Sequence, residues 1–155
     1  MRTARSLALV ALVVASSIGA APGPRAAAAP RVVQVEVGDN MKFISAAITA
    51  TPGESITVVI RHMGKMPKVA MGHNFVLLKK GVDARKLADQ CASARDTDFI
   101  APSVRPQLLA STTLVGPGET AETTFVAPAQ RGDYTFICTF PGHFAVGMKG
   151  ILTVK

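Results

Sequence analysis

Cys138, His143 and Met148 stand at equal intervals of five residues in the stretch CTFPGHFAVGM. A thiolate, an imidazole and a thioether are donors for a transition-metal ion, the sulfurs suiting Cu(I) and the imidazole Cu(II). A further donor has to come from elsewhere. The chain holds three histidines, His62, His73 and His143, and on spacing alone either His62 or His73 could complete the set. Two imidazoles and a thiolate in a trigonal set, with a weak axial thioether, make a blue-copper site. With no open coordination position, such a site passes electrons rather than binding substrate. The competing reading is a disulfide between Cys91 and Cys138, the two cysteines of the chain, because oxidising compartments favour one.

The elements that must position these residues read mostly as strands. VVQVEV, ESITVVIRH, HNFVLLKK, DYTFIC and MKGILTV are rich in β-branched or aromatic residues and end at Gly, Pro or Asp turns. STTLV and ETAETTFVA flank Gly116-Pro117-Gly118 and read as a hairpin. Strands at this spacing predict an all-β, antiparallel Greek-key sandwich. One segment differs: Asp83–Asp96 lacks β-branched residues and predicts a short inserted helix with Asp83 as its N-cap. FIAPSVRPQLLA then runs through two prolines as an irregular connection. Period-two alternation puts Tyr134, Phe136 and Cys138 on one face of their strand, and Met148, Gly150, Leu152 and Val154 on one face of the last. Cys138 therefore ends one inward row and Met148 begins the next, with His143 on the loop between them. Gly72, beside His73, permits a close approach by its carbonyl oxygen.

Residues 1–29 carry Arg2 and Arg5, a short apolar run and small residues after it, the pattern of a secretory signal peptide followed by an Ala/Pro remnant. The run is shorter than the about 20 residues a membrane span needs. Export to a periplasm is expected, with membrane tethering only if the leader stays uncleaved. Residues 31–155 then form one domain. Without Arg2, Arg5 and Arg25, the 17 Lys and Arg fall to 14 against 10 Asp and Glu, so the charge drops from +7 to +4. No dense basic run or aromatic stripe suggests nucleic acid. Three histidines cannot furnish the extra copper sites of a multicopper oxidase or nitrite reductase, so no enzyme is expected.

VAMGHNFVLL and YTFICTFPGHFAVGMKGILTVK resemble the azurin family of small blue copper proteins, as do MGKMPK and LVGPGETAETTF. The resemblance implies a cupredoxin fold with one type 1 copper ion. It implies His73, Cys138 and His143 as equatorial ligands, Met148 as an axial one and the Gly72 carbonyl as a second, distant axial group. It makes His62 a buried histidine beside the site, Asn74 a brace between the ligand loops, and Asp83–Asp96 part of an inserted flap. It implies a monomeric carrier that exchanges electrons with c-type cytochromes or a terminal reductase or oxidase through His143. Met71, Gly72, Pro141, Gly142, Phe144 and Val146 form the expected apolar collar. Copper storage or delivery is the alternative, to which Met41, Met63 and Met66 could contribute. Two departures stand out. Four residues separate His143 from Met148 where azurins have three, a spacing similar to that of auracyanins. The chain also has no tryptophan.

Overall fold

The computed structural model describes residues 29–155; the expected leader lies almost wholly outside them. Eight strands form two sheets. The first has the order β1 (Arg31–Val37), β3 (Ser55–His62), β6 (Thr120–Val126). The second has the order β2 (Ala47–Ala50), β8 (Lys149–Val154), β7 (Gly132–Ile137), β4 (Val76–Leu78), β5 (Leu108–Ser111). The chain is the expected all-β sandwich, but its sheets are mixed. β1 runs parallel to β3 and β2 parallel to β8, while the other pairs are antiparallel. The parallel pairs arise because residues 38–46 carry the chain from the first sheet across to the second instead of turning back in a hairpin.

The sandwich interior is built from the alternating rows. Val35, Val37, Ile56, Val58 and Ile60 of the first sheet face Phe75, Leu77, Tyr134, Phe136, Leu152 and Val154 of the second. β4 is buried on both sides, which explains why its sequence is apolar without alternation. Its outward residues Val76 and Leu78 join Ile137 in a second cluster under the insertion, with Leu87, Cys91, Ile100 and Val104.

That insertion holds a helix, α2, over Ala84–Cys91, shorter than the expected Asp83–Asp96. Asp83 caps it as expected, accepting from the N–H groups of Arg85 and Lys86 at 3.0 and 3.1 Å. Two 3₁₀ turns, Arg95–Thr97 and Pro102–Gln107, follow before β5. A one-turn helix, α1 (Lys68–Met71), precedes His73 and was not legible as one. The expected hairpin around Gly116–Gly118 does not form. β6 pairs with β3, and residues 112–115 instead run beside His73 through a single bridge to Val115. Turn chemistry at Gly116–Gly118 is satisfied either way, so local sequence did not select the partner strand. Among the described residues no helix is long and apolar enough to cross a membrane.

Candidate metal centre

Cys138 directly follows β7 and Met148 directly precedes β8, and both are fully buried. The two backbones meet, the Cys138 N–H donating to the Met148 carbonyl at 3.3 Å. The nine-residue excursion between them is held from within. The His143 N–H donates to the Phe140 carbonyl at 3.1 Å and the Met148 N–H to the His143 carbonyl at 3.0 Å. Gly142 and Gly147 take φ of +83° and +94°, values that a side chain resists. Gly147 lies in the four-residue spacer, so the lengthened loop closes with Met148 still in the interior.

His73 reaches the same place from the opposite side. The bridge between His73 and Val115 fixes its backbone, with N–H to carbonyl bonds of 3.0 and 2.7 Å in the two directions. Its outer nitrogen, Nε2, lies 3.1 Å from the Gly38 carbonyl and donates to it. A neutral imidazole that donates through Nε2 keeps a lone pair on Nδ1. That Nδ1 lies 3.1 Å from Nδ1 of His143 and 3.9 Å from Sγ of Cys138, and Sγ to His143 Nδ1 is 3.5 Å. In a trigonal set of N and S donors sharing an ion, with bonds of about 2.0–2.3 Å, the donors stand roughly 3.5–4 Å apart. The two sulfur–nitrogen distances fall in that range and the two nitrogens stand somewhat closer, so small movements let the three atoms share one ion, and these residues are the one such cluster among the described residues.

The surroundings suit a cation. Burial, and then the neighbouring His143 and His62, lower the pKa of His73 to about 4. Burial does the same to His143, also to about 4. Both rings are thus neutral ligands at pH 7. Burial pushes the Cys138 thiol up to about 12, although the backbone N–H groups of Asn74 and Phe140 point at its sulfur and oppose the shift. A buried thiolate here needs a positive partner, and those two N–H groups are already aimed to support it.

His62 has no such lone pair to offer. Its Nδ1 accepts from the Gly64 N–H at 3.0 Å, so Nε2 donates to the Met71 carbonyl at 3.0 Å. Its ring packs against His73 with centroids 5.0 Å apart. These bonds leave His73, and not His62, with a free ring nitrogen near Cys138 Sγ. The disulfide alternative also fails: Cys91 and Cys138 are both free, each in a different core cluster.

Asn74 braces the loops as expected. Its carbonyl oxygen accepts from the Thr139 N–H at 2.9 Å, and its amide donates to Thr139 Oγ1 at 2.8 Å and the Asp98 carbonyl at 2.9 Å. Asp98 and Phe99 both take left-handed backbone, at φ of 54° and 56°. That strained pair turns the Asp98 carbonyl toward Asn74 and the Phe99 ring onto Phe140, which packs on His143. Thr139, Asp98 and the Gly38 carbonyl were missed from sequence. Nothing local marks a carbonyl 35 residues before the histidine it anchors. The expected collar needs correction. Pro141, Gly142 and Val146 are exposed and Phe144 half-exposed, but Met71 and Gly72 are buried. At Gly72 a Cβ would meet Leu114 and the Lys68 carbonyl at 2.7 Å, so glycine is there for packing.

Comparison with known proteins gives the site a context. Residues 30–155 match the family described as copper binding proteins, plastocyanin/azurin family. Azurin of Pseudomonas aeruginosa is 39% identical over 126 residues, 79% of this chain and 97% of that protein. Outer membrane protein H.8 of Neisseria gonorrhoeae is 37% identical over 122 residues, 77% of this chain and 65% of that protein. Among solved structures, reduced auracyanin of Roseiflexus castenholzii superposes with a TM-score of 0.72 at 35% identity, covering 83% of this chain and 99% of that one. The ion that His73, Cys138 and His143 are spaced to share is therefore copper, and the chain belongs to the plastocyanin/azurin family of copper binding proteins.

Proposed function

We propose that this chain is a periplasmic single-electron carrier, with Met148 as a weak axial ligand and the Gly72 carbonyl as a second, distant one. The observation that carries the reading is the buried triad of Cys138 Sγ and two Nδ1 atoms, all within 4.8 Å of one another. Bound copper would supply a Cu(I)/Cu(II) couple. The protein's part is to hold the donors still: His73 through Gly38 and Val115, Cys138 through Met148, and both loops through Asn74. A donor set fixed in this way changes little between redox states. Burial of all three donors supports electron passage over substrate binding. His143, 3% exposed beneath Pro141, Gly142 and the half-exposed Phe144, is the ligand nearest the exposed loop and the natural port for electrons. An apolar rim of this kind suits brief docking to a redox protein such as a c-type cytochrome or a terminal reductase or oxidase, with the carrier acting as a monomer. Export rests on the leader pattern in residues 1–29.

Exposed Met63 and Met66, at 52% and 41%, favour a second reading, copper storage or delivery, since thioethers select Cu(I). Optical and EPR spectra after Cu(II) addition, followed by electron self-exchange, separate the two. An intense red absorption, a small copper hyperfine splitting and fast exchange support the carrier. The same spectra with slow exchange and ready loss of Cu(I) to an acceptor support delivery. Ordinary Cu(II) spectra would overturn the blue site itself.

A further inference from the structure

On the flap side of the metal pole, a groove of about 190 Å³ is lined by Lys68, Val69, Arg95, Phe99, Leu114 and Phe140. It touches the site through its wall. The Phe140 ring packs on His143 with centroids 4.6 Å apart, and Phe99 meets Phe140 edge-on at 4.9 Å. The groove is thus one aromatic ring from a metal ligand. It is smaller than the roughly 300–1,000 Å³ of a small-molecule site, but it has room for one apolar side chain. Val69 at its edge is 77% exposed.

The charges around it are sorted. Lys68 is held by Glu119 at 2.7 Å, which offsets its charge. Arg95 makes no ion pair among the described residues. Asp96 and Asp98, its neighbours in sequence, line a separate polar groove together with Arg105. Arg95 therefore lines the apolar groove without an ion-pair partner among the described residues, while Asp96 and Asp98 line another.

We infer that this groove docks an acidic redox partner protein, which inserts one apolar side chain against Phe99 and Phe140 while its carboxylates face Arg95. The inference rests on the electron-carrier reading and names the chemistry of the partner. Its volume selects a side chain over a small-molecule ligand, and the unpaired guanidinium selects an acidic surface over a basic one. Electrons would then pass between the partner and His143 by way of Phe140.

The test follows electron uptake by the Cu(II)-loaded protein from two ferrous c-type cytochromes, one acidic and one basic, by stopped flow at low and high salt. One electron leaves ferrous haem, giving ferric haem, and Cu(II) becomes Cu(I). Arg95→Glu and Val69→Asp are compared with the parent; both positions are exposed, and an unchanged copper spectrum verifies the fold. The acidic cytochrome should react more slowly as salt rises. Each substitution should slow it by about fivefold to tenfold at low salt, with the basic cytochrome not slowed. Rates with the acidic cytochrome that ignore both substitutions, while the parent still exchanges electrons, overturn the groove and leave the carrier intact. A parent that exchanges with neither cytochrome overturns the carrier reading, and the groove proposal with it.

Discussion

Asn74 concentrates more of the site's geometry than any ligand does. Its side chain ties the Cys138 loop, through Thr139, to the flap, through Asp98. Replacement by alanine leaves the buried Thr139 N–H and the Asp98 carbonyl without these partners, at about 1–3 kcal/mol each. Asn74→Ala should lower the denaturant midpoint by an equivalent of about 2–6 kcal/mol and shift the thiolate absorption band. An unchanged spectrum would mean that the ligand loop holds its shape without this brace. The histidines set a second expectation. Burial depresses the pKa of His73 and His143 from 6.5 to about 4. A depressed folded-state pKa contributes stability that is present above 6.5 and lost as pH falls toward 4. Metal-free protein should therefore lose stability steeply across that window in urea titrations, and copper-loaded protein much less, because the ion occupies the lone pairs. Flat stability of the metal-free form from pH 7 to 4 would contradict the burial of two neutral rings. Met71 belongs here as well. At 8% exposure it is interior, so a charge placed there would disturb folding before it disturbed docking.

Each of the last two strands carries an inward row that runs to the candidate centre's end of the sandwich, and their pairing is what brings Cys138 and Met148 together. Phe136 lies opposite Gly150 in that ladder. A Cβ at Gly150 would strike the Phe136 ring and stand 2.5 Å from the Ala46 carbonyl. Gly150→Ala should cost about 3 kcal/mol through overpacking, and it should broaden the copper EPR signal by shifting β8 against β7. A thermal melt within a degree of the parent would show that β2 gives way easily. The inserted segment positions the site from outside the sandwich. Its helix buries Leu87 and Cys91 on the outer face of β4, and its strained turn at Asp98–Phe99 supplies the carbonyl for Asn74 and the ring beside Phe140. Cys91 is fully buried there, and desolvation raises its pKa, so it serves as a small apolar residue.

The whole molecule holds its donors through bonds that need no ion. His73 comes from one crossing of the chain and Cys138 from another 65 residues later, yet their bonds to Gly38, Val115 and Met148 are protein–protein bonds throughout. Copper should therefore add stability to a protein that is already folded. At free metal about 100-fold above Kd the gain is about 2.7 kcal/mol, which raises Tm by on the order of 10 °C for a domain of this size. Calorimetry with and without Cu(II) measures it, and an unfolded metal-free chain would contradict a preformed centre.

Donor chemistry was legible in one dimension. Cys138, His143 and Met148 lie within eleven residues, and the two strands around them show their inward faces by simple alternation. The Asp83 cap and the all-β class were legible for the same reason, since each depends on near neighbours. Tertiary structure alone decided what depends on distant ones. It chose β3 over residues 111–115 as the partner of β6, because the hairpin turn is equally content without a pairing. It made two strand pairs parallel, because the chain crosses between sheets at residues 38–46. It also chose His73 over His62: both are buried imidazoles near the pole, and only the bonds to Gly64, Met71 and Gly38 determine which of them keeps a free nitrogen facing the thiolate.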